Sequence, residues 1–164
     1  MPLSSGGSNE GAVLKRFVVT LLGSFFYTGF FPFAPATFAS LVWLVIWLFV
    51  PGGHLLTNPF ALLVTVPLAV RLSSIMEGYY GEDASKIVID EVVGMQVTLL
   101  MVAPDLKAGL AGFLLFRLFD IAKPFPVGRY QRLGGGTGVV IDDILAGIYS
   151  YAALYLLARF TGIL

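Results

Sequence analysis

The sequence predicts an all-α fold: a compact, membrane-embedded bundle of about six helices, some short or re-entrant. Three observations carry this. Apolar residues fill 57% of the 164 positions and charged residues 12%, and mean hydropathy is +0.88; soluble domains usually hold ~45–50% and ~25%. A small soluble domain needs more polar surface than twenty charged side chains and one histidine can supply. Second, stretches rich in Leu, Ala and Phe recur between Pro/Gly turns, and their lengths suit helices better than strands. Third, charged residues interrupt these stretches at positions that a zigzagging chain gathers at one end.

Residues 1–16 are expected to be a flexible N-terminal segment, since 1–11 are polar and rich in Gly and Ser. Residues 17–164 then form one helical domain. Lys15 and Arg16 before Phe17–Phe26 imitate a secretory signal, with Ala34-Pro35-Ala36 as a cleavage site. Strong apolar segments continue throughout, however, and favour a membrane domain. These are Phe17–Phe31, Phe38–Val50, Phe60–Ile75, Ile87–Ala103, Ala108–Ile121 and Val139–Ile163. Pro51, Pro59, Pro104 and Pro124 stand at their edges, where helices tolerate proline, and Pro67 inside one predicts a kink. Phe38–Val50 makes about 20 Å of helix, short of a ~30 Å hydrocarbon core.

If each segment from Phe38 onward crosses once, loops 32–37, 77–86 and 122–138 share one side, and 51–59 and 104–107 the other. Asp83, Lys86, Asp90, Glu91, Arg117, Asp120, Lys123, Asp142 and Asp143 then gather at the first end. His54, Asp105, Lys107 and Arg159 remain at the second. Charges inside apolar segments are costly and commonly functional. The first side also carries Arg129 and Arg132, so the positive-inside rule assigns it to the cytoplasm. For Lys15 and Arg16 to share that side, Phe17–Phe31 has to be re-entrant or interfacial; otherwise it spans.

Several chemistries are excluded. The chain has no Cys, hence no disulfide, thiolate nucleophile or thiolate-bound metal. Its one histidine, His54, lies in a Pro/Gly-rich stretch away from the charge cluster. Ten basic and ten acidic residues cancel, which gives no electrostatic basis for nucleic-acid binding.

Three motifs remain. In DASKIVIDEVVG, Asp83, Lys86 and Asp90 share a helix face and Glu91 points about 100° away. A helix N-terminus favours acids, which suits Asp83 better than Asp90, behind Ile-Val-Ile. In FRLFDIAKPFP, Arg117 and Asp120 stand three apart with Lys123 beyond. A helix C-terminus explains Lys123 but not Asp120, while Arg and Lys together suit an anionic substrate. In GGGTGVVIDDILAG, a Gly-rich turn enters a helix carrying Asp142 and Asp143 in an apolar run. Oxygen ligands without sulfur or imidazole suit a hard cation, Mg²⁺ before Ca²⁺ or Mn²⁺, and carboxylate-held Mg²⁺ beside Arg and Lys is a phosphoryl-transfer arrangement.

These motifs, with FFPFAPATFAS at 30–40, IVIDEVVGMQ at 87–96, FRLFDIAKPFP at 116–126 and GGGTGVVIDDILAGI at 134–148, stand in an order that resembles the phosphatidylglycerophosphatase A family. The resemblance spans roughly residues 17–160. It implies a small helical bacterial membrane phosphatase that removes the terminal phosphate of phosphatidylglycerophosphate with Mg²⁺. Ala36 stands where the family's Pro-Gly-Thr loop has Gly, and the linker after Arg132 is compressed. The acidic residues carried over are Asp90, Glu91, Asp120, Asp142 and Asp143, and the basic ones Lys86, Arg117 and Lys123. The expected roles are metal binding by Asp90, Glu91, Asp142 and Asp143, ligand or general base for Asp120, and phosphate binding by Lys86, Arg117 and Lys123. Loop 32–37 is a candidate cover. The partner implied is a phospholipid in the bilayer. Three rivals stay open: an ion-binding transporter, a structural membrane subunit that uses these pairs as glue, and a phosphohydrolase of soluble esters.

Overall fold

The computed structural model describes residues 6–82, 84–123 and 135–161, which form six α-helices, two 3₁₀ turns and no strand. The helices are α1 (Gly6–Gly23), α2 (Pro35–Phe49), α3 (Pro59–Tyr80), α4 (Ile89–Thr98), α5 (Leu106–Ala122) and α6 (Gly135–Thr161). Their starts follow local chemistry. Pro35 and Pro59 occupy first-turn positions, where a missing N–H costs nothing. The Asn58 side chain accepts from the Ala61 N–H at 2.8 Å, and Asp105 accepts from the Lys107 and Ala108 N–H groups, both at 2.9 Å. Pro67 lies inside α3 without ending it.

The zigzag is visible in the turns. At one end the Met101 N–H donates to the Thr57 carbonyl at 2.9 Å, joining the turn after α2 to the one after α4. At the other end the Val88 N–H donates to the Gly23 carbonyl at 3.1 Å, and Gly29 lies so close to the Lys86 carbonyl that a Cβ would overlap it. The hairpin after α1 therefore backs onto the segment before α4. Arg16 lies over the Tyr79 and Tyr80 rings, at 5.2 and 6.0 Å, so α1 folds back beside the end of α3. The hairpin thus returns the chain to the end of the bundle where α3 finishes and α4 begins.

α4 is the central element. Residues 90–99 are all buried, and the helix packs against α2, α3, α5 and α6. Trp43, Leu44 and Trp47 of α2, Val92, Met95 and Leu99 around α4, Phe116 of α5 and Leu154 of α6 form the main core. The Gln96 amide is satisfied, accepting from Thr65 Oγ1 at 2.7 Å and donating to the Leu56 carbonyl at 3.0 Å. Small residues let these helices approach. A Cβ on Gly147 would come within 2.7 Å of the Gly94 carbonyl and 2.9 Å of Val97 Cβ, and one on Gly136 within 2.7 Å of the Val70 carbonyl. Without a hydrophobic force between helices in lipid, such contacts are a main source of association.

Helix bounds differ from the apolar segments. α1 starts at Gly6, ahead of the apolar run, because Ala12, Leu14, Lys15 and Arg16 are good helix formers that extend the turn begun by that run. The stretch Ile87–Ala103 is helical only over Ile89–Thr98; Thr98 Oγ1 bonds back to the Gly94 carbonyl, and Met101 adopts a left-handed φ of 60°. Asp83, Arg129, Arg132 and the residues between Lys123 and Gly135 lie outside the described residues.

α3 and α6 are long and apolar enough to cross a membrane, at about 33 and 40 Å. α4, at about 15 Å, is not. Large apolar side chains face outward along these helices, including Phe60 and Leu63 of α3 and Phe160 of α6, the last 88% exposed. Single cysteines in this Cys-free chain report the two ends directly. At exposed Glu82 and His54, an impermeant thiol reagent added outside intact cells is expected to label only position 54. Equal labelling of both overturns the assignment of sides.

Candidate active site

The first turn of α4 carries Asp90 and Glu91, and the third turn of α6 carries Asp142 and Asp143. Both helices bring their acids together by the same device. Gly94 lies four residues after Asp90, and Gly147 four after Asp143, so each glycine sits one turn beyond its aspartate on the same face. The helices cross where Gly147 meets the Gly94 carbonyl. A Cβ on Gly94 would also lie 3.1 Å from the Asp143 carbonyl and overlap the Phe116 ring. One turn from this crossing the carboxylates converge: Asp90, Glu91 and Asp143 each offer an oxygen within 4.8 Å of the others.

All three are buried, at 4%, 8% and 5% exposure. Asp90 Oδ1, Glu91 Oε2 and Asp143 Oδ2 have no hydrogen-bond partner. Burial pushes the Asp90 carboxyl up to about 6. Burial, and then the charges of Asp90 and Asp143, hold Glu91 well above the ordinary carboxylate range. Orphaned oxygens this close call for a shared proton or cation. An all-oxygen set fits a hard divalent ion. Asp142, 2% exposed, is differently engaged: its Oδ2 accepts from Lys123 Nζ at 2.5 Å. Burial works against the Lys123 charge, but the bond to Asp142 overrides it and raises the ammonium pKa.

These residues line a cavity of about 270 Å³ with Asp120, Ile121, Lys123 and Val139. Asp120 pairs with Arg117, Nη2 to Oδ2 at 3.1 Å, while Arg117 Nε and Nη1 are buried without partners. The fold thus gathers seven of the eight residues singled out from the sequence at or beside one cavity. Lys86 is the exception. Its ammonium lies over the Phe30 and Tyr80 rings, at 5.3 and 4.8 Å, and it is not part of the cavity wall. Loop 32–37 contributes nothing to that wall either. Gly94 and Gly147 were not singled out; the signal for them was the repeated Asp-to-Gly spacing of four.

Buried carboxylates suited to a hard cation, with Lys123 on the wall and Arg117 paired to Asp120, make this cavity the candidate site of a phosphohydrolase set in a helical bundle. Comparison with known proteins carries this from class to family. Residues 21–158 match the model for phosphatidylglycerophosphatase A, and the chain belongs to that family of membrane lipid phosphatases. A protein of Bacteroides thetaiotaomicron named "Putative phosphatidylinositol-3-phosphatase" is 40% identical, over 84% of this chain and 93% of its own length. Phosphatidylglycerophosphatase A of Escherichia coli is 32% identical, over 85% and 83%. Phosphatidylglycerophosphatase A of Haemophilus influenzae is 46% identical over 44% of this chain and 46% of its own length. No solved structure matches the fold.

Proposed function

We propose that the chain hydrolyses the terminal phosphate of phosphatidylglycerophosphate to give phosphatidylglycerol and phosphate, with Mg²⁺ held by Asp90, Glu91 and Asp143 and the site open to the cytoplasm. One observation carries the metal reading: three buried carboxylates with orphaned oxygens inside a 4.8 Å span. A divalent ion held by these residues would supply positive charge for the phosphoryl oxygens and lower the pKa of the attacking water. The chain's own groups do the rest. Arg117 offers its free Nε and Nη1 to phosphate oxygens, and Lys123, placed by Asp142, adds a point charge. Asp120, held by Arg117 on the cavity wall, takes the proton of the water as its oxygen bonds to phosphorus. The bond from phosphorus to the lipid's glycerol oxygen breaks, that oxygen takes a proton from solvent and leaves as the alcohol, and Asp120 returns its proton to solvent. Asp142 orients Lys123 and completes the acidic wall.

The Bacteroides relative supports a second reading of the head group, a phosphorylated inositol lipid. Phosphate release by purified protein in detergent, across phosphatidylglycerophosphate, phosphatidylinositol 3-phosphate and glycerol 3-phosphate, decides between them. The expected order is phosphatidylglycerophosphate first, with the soluble ester at least about tenfold lower in kcat/KM, because the apolar body holds the cavity at the lipid boundary. Preference for the inositol lipid selects the second reading. Equal turnover of the soluble ester refutes a membrane substrate, and no turnover of any of them refutes the phosphatase.

A further inference from the structure

Lys86, absent from the acidic cavity, lies over the Phe30 and Tyr80 rings, and both rings line a second cleft at the same end of the bundle. This cleft, about 330 Å³, is lined by Val13, Arg16, Phe17 and Thr20 of α1, Tyr27 and Phe30 of the hairpin, and Tyr80 at the end of α3. Two cations bracket the Tyr80 ring, Lys86 at 4.8 Å and Arg16 at 6.0 Å. Among the described residues no carboxylate lines the cleft and neither cation forms an ion pair. The Tyr80 hydroxyl reaches Thr20 Oγ1 at 3.3 Å, which adds two polar groups to the wall. Cations held over aromatic faces keep their charge available to an anion while their apolar parts are covered.

The position says which anion. Tyr79 and Tyr80 end a helix long enough to span a bilayer, where amphipathic rings sit at head-group level. Beside them α1 exposes Val13, Leu14, Phe17 and Val18, an apolar shoulder next to two positive charges. Its residues 9–18 are all exposed, so none of the described residues covers that shoulder. We infer that this cleft binds the phosphate of an anionic bilayer phospholipid between Arg16 and Lys86, with the acyl chains along the apolar face of α1. It is a lipid site separate from the acidic cavity, and it anchors α1 and the hairpin against the membrane.

The test uses full-length protein in neutral detergent with chelator, incubated with phosphatidylglycerol, phosphatidylcholine or inorganic phosphate and examined by native mass spectrometry. The expected result is one retained phosphatidylglycerol per chain and weaker retention of phosphatidylcholine. Inorganic phosphate in excess should not displace the lipid. Arg16→Gln and Lys86→Gln should each weaken retention about tenfold. Arg71→Gln, on α3 like Tyr80 but outside the cleft, should not. Lys86 packs on two rings, so near-ultraviolet circular dichroism of each variant accompanies the measurement, and Arg16→Gln, at an exposed position, carries the inference alone if Lys86→Gln fails to fold. Unchanged retention in folded Arg16→Gln overturns the proposal. So does equal retention of phosphatidylcholine, displacement by inorganic phosphate, or a lipid-free dimer that Arg16→Gln dissociates. The readout needs no turnover, so its failure is distinct from failure of the phosphatase reading.

Discussion

Asp143→Asn and Asp90→Asn are each expected to lower phosphate release by about 10²–10³, the size of effect seen when one preorganised electrostatic contact is removed from an active site. Asn keeps the volume and one oxygen but loses the charge that a hard cation requires. The fold should survive. The two carboxylates face one another and Glu91 with orphaned oxygens, so removing one relieves repulsion rather than breaking a partnered contact. Chelation should abolish wild-type activity and Mg²⁺ restore it, while both Asn variants need more Mg²⁺ for what activity remains. Asp105→Asn is the control. It caps α5 at the far end through two backbone N–H groups, and Asn caps almost as well, so stability and turnover should stay near wild type. A structural-glue role for the acids predicts the reverse: loss of folded protein with turnover per folded molecule unchanged. Full activity of both variants in chelator refutes the metal assignment.

The second large effect is expected at the helix crossing. Gly147→Val places methyl groups against the Gly94 carbonyl and Val97, at distances of 2.7 and 2.9 Å that already admit no Cβ. Overpacking of this kind costs ~1–3 kcal/mol, and the obstacle on one side is backbone, which cannot rotate away. Parting α4 from α6 also separates Asp90 and Glu91 from Asp143. A displacement near 1 Å is enough to cost about 10² in rate. Gly147→Val should therefore lose activity in whatever fraction still folds, and its thermal midpoint should fall. Gly78→Ala, where nothing lies within 4 Å, should be neutral or raise stability by up to ~1 kcal/mol, since Ala is the better helix former. Wild-type activity and melting of Gly147→Val would show that the crossing does not set the cavity.

Read alone, the sequence determined the helical class, the membrane setting, the alternation of ends and most of the acidic set. Hydrophobic runs and proline positions report on single helices and need no partner to be read. That is why α2 and α5 were legible to within a few residues, and why Asp142 and Asp143 stood out from an apolar run. The motifs in order carried the family. Only the tertiary structure decided which oxygens face one another. Asp90, Glu91 and Asp143 form a triad because Gly94 and Gly147 let two backbones touch, while Asp142, one residue away on a different face, turns to Lys123. It also placed Lys86 outside the acidic cavity wall, because the hairpin after α1 packs against its carbonyl and its ammonium lies over the Phe30 and Tyr80 rings. Spacing of three and four fixes a face of one helix; which neighbour meets that face depends on how closely the backbones approach, and that is a property of the packed bundle.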